Sequence, residues 1–428
     1  MTQQVRPQDL YRLPWSLTDN VLSWLEPTKR CNLYCEGCYS RNDKDSDKSL
    51  EEIRQDLKTF VALRNVDSIS IAGGDPLVHP RIADVVRMIR EEFKLKAVIN
   101  TNGLALTQSL LDALVSAGVS GFTFHIDSGQ VRPKWKHKDE IELCDLRLKL
   151  ARMVAAAGDI SVAFNATIYP HTKQYIPFLT QWAAEHIDIV SSMVFILFRT
   201  TREDKFDYYA GEKKVELDEV VYHDSEKNPE PVVAQDVIDL IRSSHPEFAP
   251  SAYLGGTTDP ESFKWLIATR LGTKKRIYGY LGPRAMESIQ VGHHALTGRY
   301  LGYSKPSLLS QGKATAFGLS ALDSGCRKTV ANYAKHMAVA PHQMTKPLFM
   351  QSILIIQPLD NLEDGRANMC DGCPDMTVHE GKLVWSCRLD ECKQYGSFLN
   401  AVPKNSCPSE TLHQISKGPS MEANHASE

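Results

Sequence analysis

LEPTKRCNLYCEGCYS, residues 25–40, sets Cys31, Cys35 and Cys38 in a C-x3-C-x2-C array directly after a short apolar stretch. Three thiolates this close can hold three corners of a [4Fe–4S] cube. The fourth iron is then free of protein ligands and open to a small chelating molecule. Zinc is the competing reading. Structural zinc sites, however, favour C-x2-C pairs matched by a second pair, and no further His or Cys follows closely enough to complete one locally.

Outward from this loop, residues 22–200 alternate strand-like apolar runs with amphipathic helical ones. Strands are expected near Leu25–Thr28, Ser68–Gly73, Lys96–Asn100, Gly121–Asp127, Ile160–Ile168 and Val190–Phe198. Between them, Ser49 and Glu52 form a capping box ahead of Ile53, Leu57 and Phe60, and Thr107 caps a helix stopped by Gly118. About six βα units imply a parallel sheet with right-handed crossovers. The fold class is α/β: a partial (βα)6, TIM-like barrel with a mostly helical insertion and a small C-terminal iron–sulfur domain.

Strand faces add an independent expectation. Phe122, Phe124 and Ile126 oppose Thr123, His125 and Asp127; Ile160, Val162, Phe164 and Ile168 oppose Ser161, Ala163, Asn165 and Thr167. A closed eight-stranded barrel fills its centre with bulky side chains. Here the inner face reads as small and polar, which suits a hollow sheet holding a polar ligand.

A second array, Cys370-x2-Cys373-x13-Cys387, brackets two short strand-like runs, Met376–Val378 and Lys382–Trp385, around a His-Glu-Gly turn. A hairpin there returns Cys387 beside Cys373, so that one metal centre can bind all three. Cys392 is taken as a further ligand, with Cys326 and Cys407 as other candidates for the fourth position. Zinc again competes.

The first array resembles the signature of the radical S-adenosylmethionine (SAM) superfamily, over roughly residues 22–200. The second resembles the auxiliary cluster of the twitch and SPASM domains found in part of that superfamily, over about 365–410. The resemblance implies a SAM-binding [4Fe–4S] cluster on Cys31, Cys35 and Cys38, a second auxiliary [4Fe–4S] cluster, and SAM itself. It implies reductive cleavage of SAM to a 5′-deoxyadenosyl radical that abstracts a substrate hydrogen, with an external electron donor such as a flavodoxin or ferredoxin. The family's Gly-Gly-Glu motif matches Gly73-Gly74-Asp75, with Asp in place of Glu. Asn102, Asp127, Ser128 and Asn165 stand at strand ends where the family binds cofactor. Gly37 replaces the aromatic that often precedes the third cysteine, with Tyr39 beyond it.

Composition bounds the rest. The 428 residues are 42% hydrophobic, with a formal net charge of -3, which gives no electrostatic case for a nucleic-acid partner. The N-terminal MTQQVRPQDLYR has no apolar signal region and no run approaches a membrane span, so a cytoplasmic location is expected. The expected organisation is an N-terminal extension (1–21), the barrel core (22–200), an insertion or substrate-recognition region (201–345), the auxiliary domain (346–410) and a disordered tail (411–428). Peptide, lipid and small-metabolite substrates all fit the class. A non-catalytic iron–sulfur or zinc sensor or scaffold is the alternative, separated from the enzyme by SAM cleavage. Cys144 reads as a core thiol, and His293 and His294 as structural residues.

Overall fold

Alternating apolar runs produce six parallel strands in sequence order. In the computed structural model, which describes residues 4–199, 201–217, 231–409 and 411–412, a two-residue strand β1 (Tyr11–Arg12) comes first. It is followed by β2 (Leu22–Thr28), β3 (Ser68–Gly73), β4 (Lys96–Thr101), β5 (Gly121–His125), β6 (Ser161–Ile168) and β7 (Ser192–Leu197). Strands β2 to β7 pair in parallel, each with the next. Helices α1 (Leu50–Leu63), α2 (Ile82–Glu91), α3 (Gln108–Ser116), α4 (Leu143–Ala157) and α5 (Ile176–Glu185) link them. Ser49 and Glu52 form the expected capping box on α1, and the Thr107 hydroxyl accepts from the Leu110 amide at the start of α3. The expected disordered tail lies outside the described residues apart from 411 and 412.

The two strand faces separate as expected. Ile69, Ile71, Ile99, Phe122, Phe124, Val162 and Phe164 are buried in one core with helix residues such as Ile53, Val86 and Leu114. The opposite face carries polar pairs, Asn100 to Ser70 and His125 to Thr167. Tyr303, from a distant part of the chain, closes this lumen at the N-terminal strand ends. Its carbonyl accepts from Lys96 Nζ at 2.8 Å, the Gly302 amide donates to Asp67 at 3.2 Å, and its side chain faces Thr123 and Ser70.

The described part of residues 201–345 holds more helix than strand, as expected of a mostly helical insertion, but it also carries strands that extend the main sheet. These residues contain β8 (Phe206–Ala210), β9 (Lys213–Lys214), α6 (Ala234–Ser244), β10 (Ala252–Leu254), β11 (Trp265–Thr273), β12 (Arg276–Tyr280), α7 (Pro283–Thr297), α8 (Pro306–Leu309), α9 (Gly312–Leu319) and α10 (Ser324–Val339). Strand β13 (Phe349–Ile356) joins β7 in parallel, β11 joins β13 antiparallel, and β10 and β1 continue the sheet. The physical reason is burial on both faces. Trp265–Gly272 is buried throughout, so its sequence lacks the two-residue polar alternation that marks a half-exposed strand. Helices α7, α9 and α10 gather a smaller core around Leu271, Tyr278, Cys326 and Tyr333.

The C-terminal region completes the barrel rather than standing apart. It holds β14 (Asp360–Asn361), β15 (Ala367–Asn368), the hairpin β16 (Met376–His379) and β17 (Lys382–Trp385), α11 (Leu389–Tyr395) and β18 (Leu399–Pro403). Glu380 and Gly381 both have positive φ, 50° and 77°, as a type I′ hairpin turn requires. Residues 370–374 span the gap between the sheet's two edges. On one side Gly256 bridges Cys370 and Arg12 pairs with Asp371. On the other, Asn20 Nδ2 donates to the Gly372 carbonyl at 3.0 Å and Arg64 donates to the carbonyls of Cys373 and Pro374.

Candidate functional site

The cysteine loop leaves β2 and is fixed by backbone pairing with a second strand-end loop. Glu36 N donates to Gly129 O at 2.9 Å, Val131 N donates to Tyr34 O at 3.0 Å, and Cys35 bridges Gln130. Gly37 has φ 62°, and a Cβ there would lie 2.0 Å from the Phe198 ring. Phe198 therefore fills the place that a residue before the third cysteine would otherwise occupy. It packs on Tyr169 at 5.0 Å, whose hydroxyl donates to Glu36 O.

The three thiols lie within one another's electrostatic reach. Burial pushes all three above the ordinary thiol range, least opposed at Cys35, where Asp127 adds to it. Side-chain amides address two sulfurs: Asn102 Nδ2 lies 3.8 Å from Cys31 Sγ and Gln130 Nε2 lies 3.5 Å from Cys35 Sγ. No group of three or more His, Cys, Asp or Glu among the described residues has the arrangement of a single-ion site.

The other expected site residues cluster around this loop. Gly73 and Gly74 pack directly on residues 28–30: added Cβ atoms would fall 2.2 Å from Thr28 O and 2.3 Å from Arg30 O. Any side chain at either position would displace the strand that leads into Cys31. Asp75 is fully buried and its carboxylate is occupied by protein donors, the Thr101 hydroxyl at 2.8 Å and the amides of Asn102 and Leu77. Burial raises its pKa, with those donors pulling the other way. Asp127 is also buried, which favours its neutral form. The His125 ring 2.8 Å away and the Thr167 amide outweigh that and hold it below the usual carboxylate range. Ser128 gives its amide to Glu140, which pairs with the buried Arg147. Asn165 keeps a buried amide oxygen with no partner among the described residues.

Sequence reasoning missed Gln130 and Arg132. Arg132 donates to the carbonyls of Asn102 and His125, tying two strand ends together. Their only sequence signal is position, three and five residues beyond Asp127 on the same strand-end loop. Also missed was Asp390 on α11, which binds both Lys29 and the Arg41 amide and so fastens the C-terminal region to the cysteine loop.

Cys370, Cys373 and Cys387 lie within one another's electrostatic reach. Cys373 is pushed well above the ordinary range by its hydrogen bond with Cys370 and by burial, and Cys387 is pushed up to about 12 by burial. Cys392 differs. It lies on α11, and its leading electrostatic neighbours are Glu391, Arg388 and Glu380, not a cysteine. Cys326 belongs to the separate helical core and Cys407 is exposed. Cys144 is buried, and His293 and His294 bond to Arg299 O and Asp19.

Six parallel strands with a polar inner face and three cysteines on the first strand-end loop make an arrangement suited to an iron–sulfur cluster. Residues 25–177 match the model of the Radical SAM superfamily. It is 36% identical over 110 residues to the tungsten-containing aldehyde ferredoxin oxidoreductase cofactor-modifying protein of Pyrococcus furiosus, covering 24% of this chain and 30% of that one. Over 196 residues it is 26% identical to the 7,8-dihydro-6-hydroxymethylpterin dimethyltransferase of Methanocaldococcus jannaschii, covering 44% and 38%. A 103-residue match, 34% identical, links it to the GTP 3′,8-cyclase of Chlorobaculum tepidum, over 24% of this chain and 31% of that one. The chain thus spans less than two fifths of each relative. Among solved structures, Streptococcus suis SuiB bound to precursor peptide SuiA aligns with a TM-score of 0.35 and 20% identity, over 42% of this chain and 40% of that one.

The superfamily implies a [4Fe–4S] cluster and SAM, and the residues fit both. The donor set is three neighbouring thiols with amide N–H groups turned to two of the sulfurs, the arrangement that tunes cluster thiolates. The orphaned Asn165 oxygen leaves a buried acceptor available to a ligand N–H or O–H. No helix of the described residues is long and apolar enough to cross a membrane.

Proposed function

We propose that this chain is a radical SAM enzyme acting on a small organic metabolite, with a second [4Fe–4S] cluster on Cys370, Cys373 and Cys387. Cys31, Cys35 and Cys38 would hold the first cluster, which would supply the one-electron reduction by which bound SAM is cleaved for hydrogen abstraction. The protein's own part is positioning and exclusion of water. Asn102 and Gln130 orient the sulfurs, Gly73 and Gly74 let the loop sit against β3, and Asp127, Ser128 and Asn165 face the cofactor. Asp75 acts as a positioning residue, because its carboxylate already holds the Asn102 amide. Cys370, Cys373 and Cys387 would hold the second cluster, which would offer a place for the substrate electron or an anchor for the substrate, with a flavodoxin or ferredoxin as the external reductant.

The observation that carries this reading is the pair of amide contacts onto Cys31 and Cys35 from two different strand ends. A metabolite is favoured over a lipid by the polar lumen, and over a peptide by relatives that act by name on GTP and a dihydropterin. The test is anaerobic reconstitution, iron and sulfide counting, and assay for 5′-deoxyadenosine after reduction with SAM. About eight irons per chain and deoxyadenosine formation are expected. Bound zinc, or a cluster that leaves SAM intact under strong reductant, would point to a sensor or scaffold instead.

A further inference from the structure

Charge is distributed unevenly along this chain. Residues 273–346 hold eleven Lys and Arg against two Asp and Glu, whereas the whole chain holds 49 against 52. That segment is therefore net +9 and the remainder net -12. Neither of its two carboxylates offsets the cations locally. Asp323 is buried and accepts from the amides of Gly282, Ala285 and Cys326, while Glu287 on α7 reaches Tyr11 of β1. The strands that support the segment, β11, β12 and β13, contain no Asp or Glu. Folding gathers much of this charge around the Tyr333 ring. Tyr278 packs on that ring at 5.2 Å and its hydroxyl meets His336 Nδ1 at 2.8 Å, which brings the β11–β12 turn to the C-terminal half of α10. Lys313 lies over the same ring at 5.7 Å and donates to the Met344 carbonyl, and Phe317 meets the ring edge-on at 6.3 Å.

Of Lys274, Lys275, Arg276, Lys313, Lys335 and Lys346, only Lys274 makes an ion pair among the described residues, with Asp188 at 3.2 Å. Asp188 stands at the margin of the surface, as does Asp159, which accepts from Ser307 on α8. Lys335 and Val339 share the exposed face of α10 at i and i+4. Val339, Met344 and Phe317 are 81%, 58% and 51% exposed. Cations alone would suit any polyanion. Large apolar side chains held in water beside them are the second requirement of an interfacial membrane site, where they enter the acyl boundary while the cations meet phosphate headgroups. A nucleic-acid backbone would leave them wet. We propose that this surface docks on an anionic phospholipid bilayer, with Lys275, Arg276, Lys335 and Lys346 against the headgroups and Val339, Met344 and Phe317 at the boundary. The surface lies at the N-terminal end of β13, whereas the cysteine loop follows the C-terminal end of β2. Docking would therefore leave the cysteine loop on the far side from the bilayer. The proposal concerns where the protein sits, not what it converts, and does not rest on the radical SAM reading.

Flotation of the full chain with vesicles tests it. Vesicles of mixed phosphatidylcholine and phosphatidylglycerol should bind about a hundredfold or more tightly than vesicles of phosphatidylcholine alone. Raising salt from about 0.1 M to about 1 M should weaken that binding at least tenfold. Lys275→Gln, Lys335→Gln and Lys346→Gln combined should weaken it by about a hundredfold. Val339→Ser, which leaves every charge in place, should weaken it by about tenfold. All four side chains are exposed, so circular dichroism should match the wild type. If the combined variant does not fold, the salt series and Val339→Ser decide. Absence of binding to the mixed vesicles, equal binding to neutral ones, or variants that bind like the wild type would overturn the proposal. So would a duplex RNA oligonucleotide that binds the chain while the mixed vesicles do not, which would assign the surface to nucleic acid.

Discussion

The two cysteine triads are held in opposite ways. Cys31, Cys35 and Cys38 sit on one loop, partly exposed, steadied from outside by amides at two strand ends. Cys370 and Cys373 are buried in a segment threaded between the two edges of the main sheet, with Cys387 returned beside them by a hairpin. The first arrangement can lose its ligands and keep its surroundings. The second is part of what closes the barrel. Similar residue types thus stand on a strand-end loop in one place and in the segment that closes the barrel in the other.

The sharpest way to break this contrast is to remove each triad separately. Replacing Cys31, Cys35 and Cys38 with Ala should reduce deoxyadenosine formation to background while leaving the unfolding transition nearly unchanged. Replacing Cys370, Cys373 and Cys387 should instead destabilise the chain by roughly 2–5 kcal/mol, through cavities in a packed seam. Chemical denaturation of both variants checks this, and the contrast fails if the first variant unfolds as readily as the second.

A second test addresses the joint without touching a thiol. Arg64 is buried and donates to the carbonyls of Leu17, Cys373 and Pro374. Arg64→Met should cost roughly 2–4 kcal/mol by leaving those acceptors unmet, read as a lower denaturant midpoint with iron at Cys31, Cys35 and Cys38 retained. Loss of iron there as well would mean the two regions fold as one unit.

The amides sharpen the other side. Asn102→Ala and Gln130→Ala should each loosen iron retention by about tenfold. They should also move the cluster's potential to more negative values, since N–H donors favour the extra charge of the reduced state. Redox titration followed by electron paramagnetic resonance measures the shift, and unchanged potentials would reduce both residues to packing.

The smallest expected effect lies in acid. Asp127 is held below the usual carboxylate range, so its stabilisation is complete above the unfolded value of about 3.9 and is lost as pH falls through the lower folded value. His125→Ala removes the principal contact opposing burial, so that loss should begin at higher pH. Circular dichroism during acid titration should show the midpoint move upward, and an unmoved midpoint would refute the coupling.

Much of this was legible where one segment carries the whole signal. The capping box at Ser49, the strand Ser68–Gly73 and the hairpin around Glu380 rest on local chemistry and stand where the residues put them. Strand β11 was missed because burial on both faces erases the alternation that reveals a strand. Phe198 filling the space above Gly37, and Gln130 reaching Cys35, depend on elements brought together only by folding. The seam was least legible of all, since Asn20 meets Gly372 across 352 residues of sequence.

That separation has a consequence in time. Strands β2 and β3 are available to pair soon after residue 73 is made, but the segment that seals β2's open edge extends to residue 387. At synthesis rates of about 5–20 residues per second, that edge waits roughly 15–60 s on the ribosome. Throughout that interval a row of unsatisfied backbone groups is open to neighbouring chains. A nascent chain of this kind would depend on chaperone cover for most of its emergence, and slowing translation late in the message would lengthen the period of risk without improving the fold.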